Sequence, residues 1–297
     1  VGSDGIVLID KPAGITSRKA VDRVMAALGV KKAGHFGSLD PFATGLLCIG
    51  VGQGTKLLPF LQDHPKEYIA LIGFERFTDT DDITGQVTAS FEGVRVDPGG
   101  IRAWFDANRG TIRQVPPVYC AQKHLGKPMY KLKRANKEVS PRPKEVHLFE
   151  TEILGCGDDW VEVRVVCSRG TYIRSIARDL GTHLGVGGYL RRLKRTKSEG
   201  FSLDDAHAID ALVALGDKAV IPLGEALNIP KARVTKVGAM GIRDGMPIQI
   251  SWVKDDIEVA QGGLAALTDS EGSLLCIARI RREGGIWGYI ERGFKVY

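Results

Sequence analysis

Six glycines fall within the 21 residues from Gly34 to Gly54, and no regular helix survives that density. Each interior glycine costs about 0.8–1.0 kcal/mol relative to alanine in a helix, so six cost about 5 kcal/mol together. The segment therefore reads as a loop, Gly34 to Gly45, running into an apolar strand, Leu46 to Val51. Upstream, Gly5 to Asp10 reads as a buried strand ended by Lys11-Pro12. Thr16 or Ser17 then caps a helix with Val21, Val24, Met25 and Leu28 on one face, stopped by Gly29.

Further along, Tyr68–Gly73 and Val161–Cys167 read as strands, and Asp79-Thr80-Asp81-Asp82 with Gly85 as a polar loop. After Arg169-Gly170, residues Ile173, Ile176, Ala177, Leu180 and Leu184 recur at helical spacing. Beyond about Pro230 the texture changes to short β-type runs with Gly turns: Gly245–Ile250, Leu264–Asp269, Leu274–Ile280 and Ile286–Ile290. That predicts a small β-rich unit, and the chain divides into 1–227 and 228–297.

Of 297 residues 43% are apolar and 26% charged, which excludes disorder and collagen-like sequence. The longest uncharged run, Pro41 to Thr55, has 15 residues and four glycines, too short and broken for a membrane span. The apolar stretch Gly5–Ile9 is too short for a signal-peptide core. Five scattered cysteines without metal-ligand spacing argue against a disulfide framework or zinc site and predict a reducing cytoplasm.

The net charge of +6 suggests an acidic partner such as RNA. Residues 121–147 hold eight Lys or Arg against two acids, with Gly126, Pro128, Pro141 and Pro143 opposing regular structure. Leu190–Lys197 carries five basic residues and no acid.

Asp40 precedes a proline in a Gly-bracketed loop, and Asp22 is the only other acid within 20 residues of it. It reads either as an Asx-type turn or as a presented reactive carboxylate; a two-carboxylate glycosidase pair is not visible. His35 reads as a loop histidine or a ligand contact. Arg174 near a helix N-terminus is unfavourable for the helix dipole, so it reads as a solvated side chain or as the partner of a carboxylate. Tyr68 is a core residue unless it lines a cleft, where it becomes a stacking platform for a base.

Together these strings resemble the TruB family of tRNA pseudouridine-55 synthases. The resemblance runs through Asp10-Lys11-Pro12-Ala13-Gly14-Ile15-Thr16-Ser17, Gly34-His35, Gly37-Ser38-Leu39-Asp40-Pro41, Ala43-Thr44-Gly45 and Gly54-Thr55-Lys56. It continues through Lys66-Glu67-Tyr68, Thr78-Asp79-Thr80-Asp81 with Gly85, Val115-Pro116-Pro117, Tyr119-Cys120-Ala121 with Lys123, Arg169 to Arg174, and Leu190 to Leu193. Residues 265–278 look like the core of a PUA-type RNA-binding domain. Phe36, Ser38, Cys120 and the basic Tyr130–Arg134 stretch depart from the usual family residues, whereas Asp40, Tyr68 and Arg174 do not.

The resemblance implies an α+β pseudouridine synthase fold, with a mixed, largely antiparallel sheet flanked by helices and a small PUA-like C-terminal domain. It implies isomerisation of the T-loop uridine of tRNA, with Asp40, Arg174 and Tyr68 catalytic. His35, Lys56, Tyr172, Leu193, Lys123, Lys131, Arg134, Arg191 and Arg192 are the expected substrate contacts. No cofactor or metal is expected because the product is an isomer of the substrate. The expected partner is the tRNA T-arm, for a cytoplasmic monomer with no obligatory protein partner and no membrane. A tRNA-folding chaperone and the catalytic subunit of a guide-RNA-dependent complex are the alternatives; the lack of long extensions favours a standalone enzyme.

Overall fold

The computed structural model describes residues 4–61, 63–120, 123–124, 127–128 and 141–295. Its main feature is an 11-stranded mixed sheet. The longest path runs His207–Ala208, Gly5–Lys11, Thr44–Val51, Tyr189–Ser198, Lys66–Gly73, Trp160–Cys167, Lys144–Gly157, Gly110–Gln114. Most neighbours are antiparallel. Thr44–Val51 and Tyr189–Ser198 are parallel and share only the pairs Lys194 with Thr44 and Arg195 with Gly45. Pairing is therefore confined to the beginning of Thr44–Val51, where the Asp40 loop enters the sheet.

Ile6–Ile9 and Leu46–Val51, the middles of strands Gly5–Lys11 and Thr44–Val51, carry no polar side chain because both of their faces are covered. Val7, Ile9, Leu47 and Ile49 pack against helix Ser17–Leu28. Ile6, Leu8, Leu46 and Cys48 face a cluster that includes Ala266, Leu274, Ile277 and Phe294 of the C-terminal unit. The other half of the sheet alternates. Tyr68, Ala70, Ile72, Val161, Val163 and Val165 join Ile176, Ala177 and Leu180 in a core roofed by helices Pro98–Ala107 and Ile173–Leu184. Its opposite face is an ion-pair lattice in which Arg164 contacts Glu67, Glu150 and Glu152 at 2.8–3.0 Å.

The helix 17–28 is capped as expected: Thr16 accepts from Lys19 N–H at 3.1 Å and Gly29 closes it at φ +65°. Two expectations need correction, and one basic run gains its place. Ala33–Phe36 is a strand, so the loop begins only after Phe36: its backbone pairs antiparallel with Thr44–Val51, His35 opposite Ile49 and Phe36 opposite Cys48. Leu190–Lys197 lies within a central strand, Tyr189–Ser198. Within 121–147, Lys123–His124 pairs with Lys127–Pro128, and Lys144 to His147 open the long strand Lys144–Gly157.

The C-terminal unit is a five-stranded sheet, ordered Lys231–Arg233, Leu264–Thr268, Leu274–Glu283, Ile286–Gly293, Ile248–Gln249, with helix Lys236–Arg243 packed on it. Within the expected run 245–250, only Ile248–Gln249 is strand. No described helix is long and apolar enough to cross a membrane.

Candidate active site

The loop bearing Asp40 is built to hold one conformation. It leaves the strand Ala33–Phe36 at Gly37, φ +69°, and enters the next at Gly45, φ +99°, values that suit glycine. A side chain at Gly45 would strike the backbone of Arg195. Between them, Ser17 Oγ donates to Leu39 O at 3.0 Å and accepts from Leu39 N–H at 2.8 Å. Gly14 N–H donates to Pro41 O at 2.8 Å.

Two buried cations brace the same loop. Lys11, fully buried, donates to Pro12 O, Ile15 O and Pro41 O at 2.8–3.4 Å. Burial brings its ammonium down to about 8, against the pull of Asp40. Arg195, equally buried, donates to Leu46 O at 2.8 Å and Gly37 O at 2.9 Å, tying the two ends of the loop together.

Asp40 itself forms an ion pair with Arg174, Nε to Oδ2 at 2.9 Å, while Arg174 Nη2 donates to Oδ1 at 3.2 Å. Arg174 is 4% exposed and spends its remaining groups on Thr80 O at 2.9 Å, Tyr119 O at 3.0 Å and the Asp82 carboxylate at 3.4 Å. Asp82, also buried, accepts from Thr80 Oγ1 and from Thr84 N–H and Oγ1. One guanidinium thus serves two carboxylates. Burial pushes the Asp40 carboxyl above the usual carboxylate range, against the pull of Arg174, and Asp82 adds to the rise.

The pair sits in an open cleft of about 1340 Å³, lined by Leu39, Tyr68, Tyr172, Cys120 and Leu193 among others. Tyr68 is 7% exposed, and burial pushes its phenol up to about 12, so its ring enters the cleft neutral. Tyr172 is fixed by Gln114, which accepts from its N–H at 2.8 Å and donates to its carbonyl at 3.0 Å. Lys144 donates to Gly170 O and places its ammonium 4.3 Å from the Tyr172 ring centroid.

The structure brings together Asp40, Arg174, Tyr68, Tyr172 and Leu193 from the expected set. His35 pairs with Ile49 in the sheet and does not line the cleft. Its Nδ1 is buried without a hydrogen-bond partner, and burial lowers its pKa.

Lys56 is placed elsewhere: its ammonium donates to Gln53 Oε1 and Gly293 O, both at 3.0 Å, and fastens the C-terminal unit. Arg191 is also outside the cleft, held by Asp159 at 2.6 Å and Glu75 at 3.4 Å. Arg192 follows the alternation of a strand: Leu193 faces the cleft, so its neighbour projects from the opposite face, 3.8 Å from Glu162. Lys131 and Arg134 lie outside the described residues, and of Lys123 only the backbone is described.

Sequence reasoning missed Asp82, Gln114, Lys11 and Arg195 as parts of the site. Asp82 had a signal, in the threonines that flank it at 80 and 84. Arg195 had none, because an arginine in a basic run looks solvated until the strand is buried.

Fold and site together define a mixed α+β protein with a guanidinium-locked carboxylate in an open cleft lined by Tyr68, Tyr119 and Tyr172. Residues 25–173 match the TruB family pseudouridylate synthase N-terminal domain. The chain is 38% identical over 265 residues to tRNA pseudouridine synthase B of Geobacter sulfurreducens, covering 87% of this chain and 86% of that one. It is 35% identical over 294 residues to tRNA pseudouridine synthase B of Saccharophagus degradans, covering 95% and 93%. Among solved structures, a chain from an H/ACA ribonucleoprotein bound to a substrate RNA containing 2′-deoxyuridine shares the fold, with TM-score 0.74 at 22% identity, over 98% of this chain and 85% of that one. The chain belongs to the TruB family and is a pseudouridine synthase, an isomerase.

Proposed function

We propose that the protein isomerises uridine 55, in the T-loop of tRNA, to pseudouridine, with Asp40 as the reacting carboxylate. The observation that carries this reading is the Asp40–Arg174 pair at 2.9 Å in the tyrosine-lined cleft. The curated relatives carry the name tRNA pseudouridine synthase B, which supports tRNA as substrate.

The reaction breaks N1–C1′, turns the base and forms C5–C1′. The C5 proton leaves and N1 gains one, so atoms balance without a co-reactant. C1′ is out of reach while the base is stacked, so the nucleotide is everted at a cost of a few kcal/mol. Tyr68 stacks on the everted base and Tyr172 packs beside it, each offering a neutral ring. Asp40 must be ionised to react. Arg174 opposes the effect of burial on it, and with Asp82 and Thr80 fixing the guanidinium, the carboxylate is aimed before substrate arrives.

In this reading residues 1–227 are the catalytic unit and 228–297 a PUA-like RNA-binding unit. The basic segment 121–147 grips phosphates, and the enzyme acts as a monomer without cofactor.

The test is tritium release from tRNA transcribed with 5-³H-uridine. Wild type releases label from a single site and Asp40→Ala releases none; a transcript with cytidine at position 55 removes the signal. Continued release with that transcript would place the target elsewhere. The solved chain of similar fold works inside an H/ACA particle. Turnover of bare tRNA without any guide RNA separates this protein from that arrangement. RNA-folding activity that survives Asp40→Asn would identify a second, chaperone role.

A further inference from the structure

Three buried charges lie in the cleft wall, and the steps proposed above leave two of them, Lys66 and Glu199, without a part. Lys66, Arg195 and Glu199 are 6%, 0% and 2% exposed. They come from two adjacent strands. Lys66 opens the strand Lys66–Gly73 two positions before Tyr68, so both side chains leave the same face. Arg195 stands opposite Tyr68 in the neighbouring strand Tyr189–Ser198, and Glu199 directly follows that strand.

Glu199 holds an unusual place. Its φ of +56° lies in the left-handed region, which residues with a side chain seldom adopt. Oε1 accepts from Lys66 Nζ at 2.6 Å, and the same ammonium donates to Ser198 Oγ at 3.1 Å. Oε2 is buried without a hydrogen-bond partner among the described residues. A strained backbone and a half-satisfied carboxylate are both costly, so packing alone does not account for this group. What Glu199 supplies is charge balance. Burial and the neighbouring Arg195 both lower the Lys66 pKa, and Glu199 is the main opposing charge. Without it, an ammonium and a guanidinium are buried side by side.

The cluster bears directly on the loop that carries Asp40. Arg195 donates to Gly37 O at 2.9 Å and to Ser38 O at 3.5 Å. A methyl group added at Gly37 would collide with Lys66 Nζ and would lie 3.4 Å from both Arg195 Nη1 and Glu199 Oε1. A guanidinium keeps its proton in a protein, so excess charge here is relieved only through Lys66, which loses its proton or shifts against the backbone of Gly37.

We propose that Glu199 is a positioning residue for the isomerisation. By neutralising Lys66 it leaves Arg195 free to hold the root of the Asp40 loop opposite Tyr68, so that the carboxylate and the base platform keep one register. Glu199 touches no reacting atom; it acts through Lys66, Arg195 and Gly37. The inference rests on the assignment of Asp40 and Tyr68 to the reaction and adds the group that aligns them.

The test compares wild type with Glu199→Gln, Glu199→Gly and the double variant Lys66→Met with Glu199→Gln. Glycine suits φ +56°, so Glu199→Gly removes the carboxylate and the backbone strain together. Melting curves report folding, filter binding the affinity for a tRNA transcript, and single-turnover tritium release the rate. A displacement of about 1 Å in an active site costs about 100-fold in rate, and both single variants should slow by about that much with affinity unchanged. The double variant, from which both charges are gone, should recover to within about tenfold of wild type. Glu199→Gln should also quicken as pH rises and the unbalanced Lys66 loses its proton, a rise absent from the double variant. The other groups around Lys66 are Arg195, which stays charged, and the Cys48 thiol and Tyr68 phenol, both pushed up to about 12 by burial.

Single variants that fold and react at the wild-type rate overturn the inference. So does a double variant as slow as Glu199→Gln, a loss of affinity that accounts for the loss of rate, or a failure of both single variants to fold, which would make Glu199 a residue of stability alone. The catalytic reading fails separately: wild type that releases no label, or Asp40→Ala that releases it at the wild-type rate, removes that reading whatever Glu199 does.

Discussion

Arg174→Met removes the charge on which the site turns. The guanidinium lies 2.9 Å from Asp40 and 3.4 Å from Asp82, and it also holds Thr80 O and Tyr119 O. At about 4 Å between charges and an effective dielectric of about 20, an ion pair is worth about 4 kcal/mol. The Asp40 side chain is 36% exposed, so solvent screens a good part of that. Loss of a neighbouring cation raises a carboxylate by about 1–3 units, and the screened geometry argues for the lower half of that range.

Asp40 must be ionised to react, and burial already raises its pKa in the wild type. The acid limb of kcat for Arg174→Met should therefore shift upward by about 1–2 pH units. Turnover at neutral pH should fall about 100-fold or more, with partial recovery in alkaline buffer. Removing one partner of a buried charge cluster also costs about 3–5 kcal/mol of stability. Arg174→Lys, which keeps the charge but loses the fork, serves as the folded comparison. The assay is tritium release from tRNA between pH 5 and 9 under single turnover. An acid limb that stays in place in both variants would refute the claim that Arg174 sets the ionisation of Asp40.

Tyr68→Phe keeps the ring and should retain most activity, whereas Tyr68→Ala should lose single-turnover rate. Gly37→Ala places a methyl group at φ +69° against Lys66 Nζ, which Glu199 holds at 2.6 Å. Urea unfolding should show about 1–3 kcal/mol lost.

Lys56→Ala should leave the chemistry of a bound uridine intact but speed amide exchange at 293–295, because its bond to Gly293 O is gone. Protection there equal to wild type would disprove the latch. Asp40→Asn should be inactive yet melt higher at neutral pH. The folded-state pKa of Asp40 is raised, so its contribution favours folding at low pH and is lost as pH rises through the raised value. A neutral amide avoids that loss.

Helix 17–28, the strand that opens the chain and the apolar run after Gly45 were legible because each is decided locally, by a cap, a stop or an uninterrupted hydrophobic stretch. Helix Pro98–Ala107 was equally readable and went unread: Asp97 caps Gly99 and Gly100 N–H, Pro98 takes the first position, and Ile101, Trp104 and Phe105 are its buried face. Ala33–Phe36 was not legible, since only pairing with its neighbour in the sheet offsets the glycine it contains. The positions proposed to act on the substrate, Asp40, Tyr68 and Arg174, were marked by motif. The carboxylate that braces Arg174 from behind lay outside any motif, and only the threonines at 80 and 84 set Asp82 apart from Asp79 and Asp81.

The sequence by itself determined which residues are offered to the chemistry, because glycine placement and motif order depend only on the chain. Tertiary structure decided what those residues do. Arg195 and Arg191 sit four positions apart in one basic run, yet one is buried as a staple of the Asp40 loop and the other is neutralised by acids. Lys56, carried by the motif that follows the Asp40 loop and its strand, ends at the seam with the C-terminal unit. Charge is written residue by residue, but its partners, and hence its pKa, reach and role, are fixed only when distant strands bring carbonyls and carboxylates to meet it.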